Sequence, residues 1–301
     1  MSRTRLPILI AALTALAVPA TASAEPVSAL DDAVVWVSGE FGEQTLMQRA
    51  PDGRVSRVPG APTARAYRSI DLGRDAKNRL VLTYLRCDAD MDCVARRDDL
   101  KGRRASIRGI VPRGCSLTTA PALWRTRTAY ALSCRTQSRS GLFVRTSSGS
   151  IRRMALPADA RRAGADEITH VDLRGTDVAA VAADIYEYAF AQRVNRSRMR
   201  SFLAAASEGE SDAHVRGLAL GAGGALWALA NTEAAGDPRQ SIIYRLEGSC
   251  RQFQRLVSTD PPTDPQADFP ASGLGVDHRT VHLSKGDEGV VEHDFAPDFA
   301  C

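Results

Sequence analysis

The chain has 301 residues, with 39 Lys and Arg against 35 Asp and Glu for a net charge of +4. That near-neutral balance excludes a nucleic-acid binder, which needs a concentrated basic footprint. Lysine is confined to Lys77, Lys101 and Lys285, so the many arginines read as the codon bias of a GC-rich bacterial genome and carry little functional weight singly.

From the N-terminus, Arg3 and Arg5 precede an apolar stretch from Leu6 to Val18, then Pro19 and the small triplet Ala22-Ser23-Ala24. This order is that of a secretory signal peptide cut after Ala24, and the apolar stretch is short for a membrane-spanning helix. Residues 1–24 are therefore assigned to the leader and 25–301 to one domain. Losing the two leader arginines lowers the net charge from +4 to +2. No later segment has 18 uncharged apolar residues, so the mature chain is expected to be soluble with no transmembrane segment.

Most of residues 31–297 repeat one pattern. Residues 33–58 supply three strands around a Pro51-Asp52-Gly53 turn, with no first strand. Four further segments overlay: SIDLGRDAKNRLVLTY (69–84), HVDLRGTDVAAVAA (170–183), RGLALGAGGALWALA (216–230) and SGLGVDHRTVHLS (272–284). Each is an apolar strand, a tight turn and a strand rich in valine, leucine or aromatic residues. GAGG at 221–224 stands where the other copies carry GRDAKN, RGT and VDHR, so it reads as a turn; a dinucleotide-type glycine loop would need glycine at Leu226 and a helix after it. Two more strand-like runs follow each pair, for example Cys93 to Arg97 and Ala105 to Ile110, and Ile242 to Leu246 and Gln252 to Val257. Unit starts near 69, 116, 169, 216 and 272 give a spacing of about 50 residues, the signature of an all-β β-propeller. Six four-stranded blades are expected, the first and last incomplete and closing the ring by shared strands, with five or seven as alternatives.

Six cysteines in an exported chain imply disulfides. Sequential pairing is expected: Cys87 with Cys93, Cys115 with Cys134, and Cys250 with Cys301. Cysteines equidistant from a turn fall opposite each other on antiparallel strands, which favours the first two. Closing the longest ring is worth about 4 kcal/mol.

The stretches TYLRCDADMDCVARR and YALSCRTQSRSGLFVRTSSGSIRRM resemble blades of secreted bacterial TolB-like or WD40-like propellers: a strand ending in cysteine, a short loop, a second strand, then a turn and a basic strand. The resemblance implies the fold and a scaffold-like role, and it brings no catalytic residue.

Candidate chemistry is sparse. The loop from Cys87 to Cys93 alternates aspartates (Asp88, Asp90, Asp92) like half a calcium loop, but Cys93 replaces the required glycine and Asp99 the bidentate glutamate, so a solvated hairpin tip is expected. His170, His214, His278, His282 and His293 lack zinc spacing, because four residues of strand separate the pair in HRTVH by about 13 Å. Asp71, Asp172 and Asp277 fall at or near the ends of three first strands. As channel acids they would hold calcium for a lactonase-type hydrolysis or act as a carboxylate pair; alternatively Asp71 and Asp172 bond backbone amides at blade junctions and Asp277 starts a turn. Arginine runs at 96–113 and 193–200 read as solvated edges, Trp36 and Trp227 as blade-packing residues, and 257–271, with 157–167, as surface connectors. The reading is an exported, monomeric, non-catalytic propeller that binds a protein or glycan at the cell envelope, with no cofactor; the alternative is a calcium-dependent propeller hydrolase.

Overall fold

The computed structural model describes residues 26–298 except 91, 108, 197, 208–210, 235–238, 258–268, 279 and 286–288. The chain is built almost wholly of antiparallel strands, arranged as six successive units among the described residues.

The first unit comprises β1 (Val27–Leu30), β2 (Ala33–Ser38), β3 (Thr45–Arg49) and β4 (Val55–Arg57). It has the first strand that the sequence reading denied it; four residues directly behind the leader are too few to show a period. The second unit is β5 (Ala66–Arg74), β6 (Leu80–Cys87), β7 (Cys93–Asp98) and β8 (Arg104–Ser106). In the third, the expected first strand is split into β9 (Cys115–Leu117) and β10 (Ala122–Trp124). Pro121 lies between them and has no amide to continue a ladder. Both pieces pair with β11 (Arg127–Cys134), followed by β12 (Gly141–Arg145) and β13 (Ile151–Arg153). A single parallel bridge, Trp124 to Arg74, fuses the second and third units into one nine-stranded sheet.

The connector 157–167 carries the short helix α1 (Ala158–Arg162). The fourth unit is β14 (Glu167–Arg174), β15 (Asp177–Ala183), β16 (Tyr186–Arg193) and β17 (Met199–Ala206). The fifth is β18 (Ser211–Leu220), β19 (Leu226–Ala234), β20 (Gln240–Glu247) and β21 (Cys250–Val257). GAGG forms a single 3-10 turn, with Gly223 and Gly224 at φ +68° and +77°, and a strand follows it. The sixth is β22 (Gly273–Asp277), β23 (Thr280–Ser284) and β24 (Val290–His293).

Apolar side chains fill layers between consecutive units, so the core is a set of wedges and not one central mass. Leu30, Val35, Leu46 and Tyr67 join units one and two; Leu142, Ile168, Val178 and Phe190 join three and four. The ring closes between six and one. Trp36 packs with Val27, Val34 and Val290, while Trp227 meets Phe295 edge-on at 4.9 Å from the other side of the sixth unit. Among the described residues no strand is shared between units six and one: β1 to β4 form a complete sheet, and the two units meet through packing and side-chain hydrogen bonds.

Cys87 lies opposite Cys93 and Cys115 opposite Cys134 in the strand registers, and both pairs are bonded. Cys250 is also in a disulfide, and its expected partner Cys301 lies outside the described residues.

Candidate functional site

The first strands β1, β5, β10, β14, β18 and β22 surround the axis. Each pairs along one edge with the second strand of its own unit, which leaves axial amides needing another acceptor. The chain supplies it from the preceding unit. Ser28 Oγ accepts the Leu72 amide at 2.9 Å and Asp172 Oδ2 accepts the Leu220 amide at 2.6 Å, while the Leu123 amide acts electrostatically on Asp71. Leu72 and Leu220 each stand four residues beyond the register shift of their strands, so the same polar latch occurs at two blade junctions. Asp277 Oδ2 closes the circle by accepting the Asp32 amide at 2.5 Å.

The three sequence-predicted acids lie on the first strands β5, β14 and β22, each under 7% exposed. Asp277 does not merely begin a turn, since it joins the last unit to the first. Burial pushes the Asp71 carboxyl well above its ordinary range, and the neighbouring Asp172 adds to this, against the pull of Arg174 and the Leu123 amide. Burial also raises Asp172, opposed by Arg174 and by the Leu220 and Leu173 amides. Asp71 Oδ2 and Asp277 Oδ1 are buried without a hydrogen-bond partner.

Arg174 was passed over among the many arginines, yet it occupies the channel. Its Nη2 donates to the Ala29 carbonyl at 2.5 Å and the Val276 carbonyl at 2.6 Å, so the side chain of the fourth unit tethers the first and the sixth. Its Nε lies 4.0 Å from Asp172 Oδ2. Nearby, Arg74 pairs with Asp31. The acid end of the channel is therefore filled by its own cross-links.

At the other end the same strands enclose a small cavity of about 60 Å³, bordered by Arg68, Ser69, Thr119, His170, Arg216 and Leu274 among others. Burial depresses His170 to about 4, more than nearby Glu187 can offset, so the ring is neutral near pH 7.

The remaining candidates are structural. Asp88 Oδ1 accepts the Asp90 and Asp92 amides at 3.0 Å, closing the hairpin tip on itself. Arg49 Nη2 donates to His282 Nδ1 at 3.1 Å and to Glu292 at 2.9 Å, a second link between units one and six. His214 Nδ1 contacts Glu187 at 2.8 Å, His293 Nε2 contacts Gln254 at 2.9 Å, and His278 is an exposed turn residue at φ +48°. Among the described residues, no group of three or more His, Cys, Asp or Glu is placed to hold a metal ion. Residues 258–268, most of the proline-rich connector, lie outside the described residues.

No family model matches the chain, and no curated protein sequence does. Among solved structures it is similar to a triple mutant of AofleA from Arthrobotrys oligospora, at 8% identity and a TM-score of 0.50 over 90% of this chain and 82% of that one. It is also similar to a mutant of the Aleuria aurantia lectin in complex with Fucα1-6GlcNAc, at 12% identity and 0.47 over 91% and 97%. A puromycin-hydrolyzing peptidase of Mycobacterium tuberculosis aligns at 14% identity and 0.45 over 86% of this chain, which spans about half, 48%, of that protein's length. At these identities the likeness establishes the fold: the protein is a β-propeller. It does not narrow the resemblance to the TolB-like or WD40-like class.

Proposed function

We propose that this protein is an exported, six-bladed propeller that works by binding, without catalysis, at the cell envelope or outside it. One observation carries the reading: Asp172 and Asp277, two of the three axial acids that a calcium-dependent hydrolase would need free, accept backbone amides that join one blade to the next. A carboxylate committed in this way has lost part of the coordination capacity that calcium, with six or more oxygen ligands, requires. Arg174 beside Asp172 further opposes a cation there. The disulfides Cys87–Cys93 and Cys115–Cys134 fit an oxidising compartment, and no helix among the described residues is long and apolar enough to cross a membrane. The partner is a protein or a glycan, and the chain acts as a monomer.

The test uses residues 25–301 produced in an oxidising compartment. A metal-free protein whose melting temperature ignores calcium, which is inert toward a lactone and ester panel and captures a partner in a pull-down or glycan array, is the expected result. Stoichiometric calcium together with hydrolysis that requires Asp71 or Asp172 would overturn it in favour of the hydrolase.

A further inference from the structure

The GAGG turn of unit five is anchored from both neighbouring units. Arg200 Nη2 of unit four donates to the Gly224 carbonyl at 2.5 Å, and the Ala222 amide donates to the His278 carbonyl of unit six at 3.1 Å. Its first glycine leaves room that a side chain would take, since a Cβ at Gly221 would stand 2.7 Å from Trp227 Nε1. A Cβ at Gly223 would face Glu247 Oε1 across 3.9 Å. The turn borders a cavity of about 110 Å³ at the seam of units five and six, where Trp227, Arg245, Glu247 and His278 supply further walls.

Arg245 and Glu247, two apart on β20, share a face of that strand. The guanidinium is held on three sides: it stands 5.4 Å from the centroid of the Trp227 ring, its Nη1 donates to Gln252 Oε1 at 3.1 Å, and its Nη2 pairs with Glu247 Oε2. Arg245 Nε and Trp227 Nε1 are buried with no hydrogen-bond partner among the described residues, so polar capacity beside the cavity is not used up by the protein itself. A guanidinium and a carboxylate fixed side by side offer a donor and an acceptor next to each other. That pattern matches vicinal hydroxyls, each of which donates through its hydrogen and accepts through its lone pairs. Several hydroxyls on one rigid ring, meeting side chains already held in place, also lose little freedom on binding.

We propose that this pocket binds a terminal pyranose of a glycan, with vicinal ring hydroxyls between Glu247 and Arg245 and its C–H edge against Ala222 and Ala225. The proposal rests on the binding reading above and deepens it, by giving the partner a chemical class and a place. Trp227 is 3% exposed and lies beneath Arg245, so the sugar does not stack on its ring.

Isothermal titration of residues 25–301 with a panel of methyl pyranosides tests this, the panel covering hexoses, 6-deoxyhexoses and pentoses in both anomers. Cyclohexanol is the control, because it keeps a six-membered ring and lacks vicinal hydroxyls. At least one pyranoside is expected to bind at millimolar concentration or below, and at least tenfold more tightly than cyclohexanol. Glu247→Ala should lose at least tenfold in that affinity with little change in melting temperature, since exposed ion pairs contribute little to stability. Arg245→Lys, which keeps the charge without the planar fork, should weaken binding severalfold. If Glu247→Ala fails to fold, the isosteric Glu247→Gln should still weaken binding. Absence of pyranoside binding, equal binding of cyclohexanol, or pyranoside affinity untouched by the Glu247 and Arg245 variants overturns the proposal. Failure here with a partner still captured in a pull-down leaves the binding reading intact, whereas lactone or ester hydrolysis that requires Asp71 or Asp172 defeats that reading whatever the pyranosides do.

Discussion

The Asp277 carboxylate accepts the Asp32 amide at 2.5 Å, joining residues 245 positions apart. Asp32 lies in the β1–β2 turn at φ +61°, so the bond holds the first hairpin against the last unit. Asp277→Ala should leave that amide without its acceptor and cost about 1–3 kcal/mol. Asp277→Asn keeps a carbonyl oxygen in reach and should cost less. Urea denaturation of the two variants checks the order; an alanine variant as stable as the parent would show that the ring closes without this bond.

Asp71 and His170 lie on the first strands β5 and β14 and should give stability opposite dependences on pH. The folded-state pKa of Asp71 is raised by burial and by Asp172, so its contribution is complete below the unfolded value near pH 4 and is lost as pH climbs through the raised folded value. His170 runs the other way. Its folded value of about 4 lies below the unfolded 6.5, so its contribution is present above pH 6.5 and is lost as pH falls toward 4. Asp71→Asn should therefore gain stability relative to the parent at neutral pH compared with pH 4, while His170→Gln should flatten the decline between pH 6.5 and 4. Melting curves at several pH values separate the two, and parallel profiles for parent and variants would refute both assignments.

Gly73 shows what close strand packing at the axis demands. A Cβ there would sit 2.0 Å from the Leu123 carbonyl oxygen, a backbone atom of the next unit that cannot turn aside. Gly73→Ala should cost about 3 kcal/mol or more, or prevent folding. Gly175, at φ +63° with open space around it, should tolerate alanine at about 1–2 kcal/mol, the ordinary left-handed penalty. Equal losses in chemical denaturation would mean that the units part easily at β5.

The repeat was legible because its alternation is long-lived: second strands such as AVVWVS and DVAAVAA are buried almost throughout, and the turns between first and second strands are polar or glycine-rich. Both described disulfides were legible through hairpin symmetry. The bulges in β5, β14 and β18 were not, since they depend on cross-strand register, and the overlay of SIDLG with HVDLR began one residue after Arg68. Aligned one step earlier, YRS, ITH and VRG would have placed Arg68, Thr169 and Arg216 in one column. Gly73 resembled any strand glycine because the Leu123 carbonyl that excludes a side chain comes from another unit. The latching role of the acids had been weighed for Asp71 and Asp172, but Ser28 escaped it because β1 itself was missed.

Arg174 is the residue that composition concealed most completely. In a chain rich in arginine it carries no distinguishing motif, yet its Nη2 donates to carbonyls of both the first and the sixth units while its Nε stands 4.0 Å from Asp172. Arg174→Ala should remove both hydrogen bonds, strand the Ala29 and Val276 carbonyls, and cost about 3 kcal/mol. It should also take from Asp71 and Asp172 the cation that opposes their burial, so both carboxyls should hold their protons to higher pH. Arg174→Lys keeps the charge and should recover part of the loss, though an ammonium lacks the planar fork. Carboxyl titration by NMR beside urea denaturation distinguishes this tether from a space-filling side chain: a variant that loses stability without moving either carboxyl would assign Arg174 to packing alone.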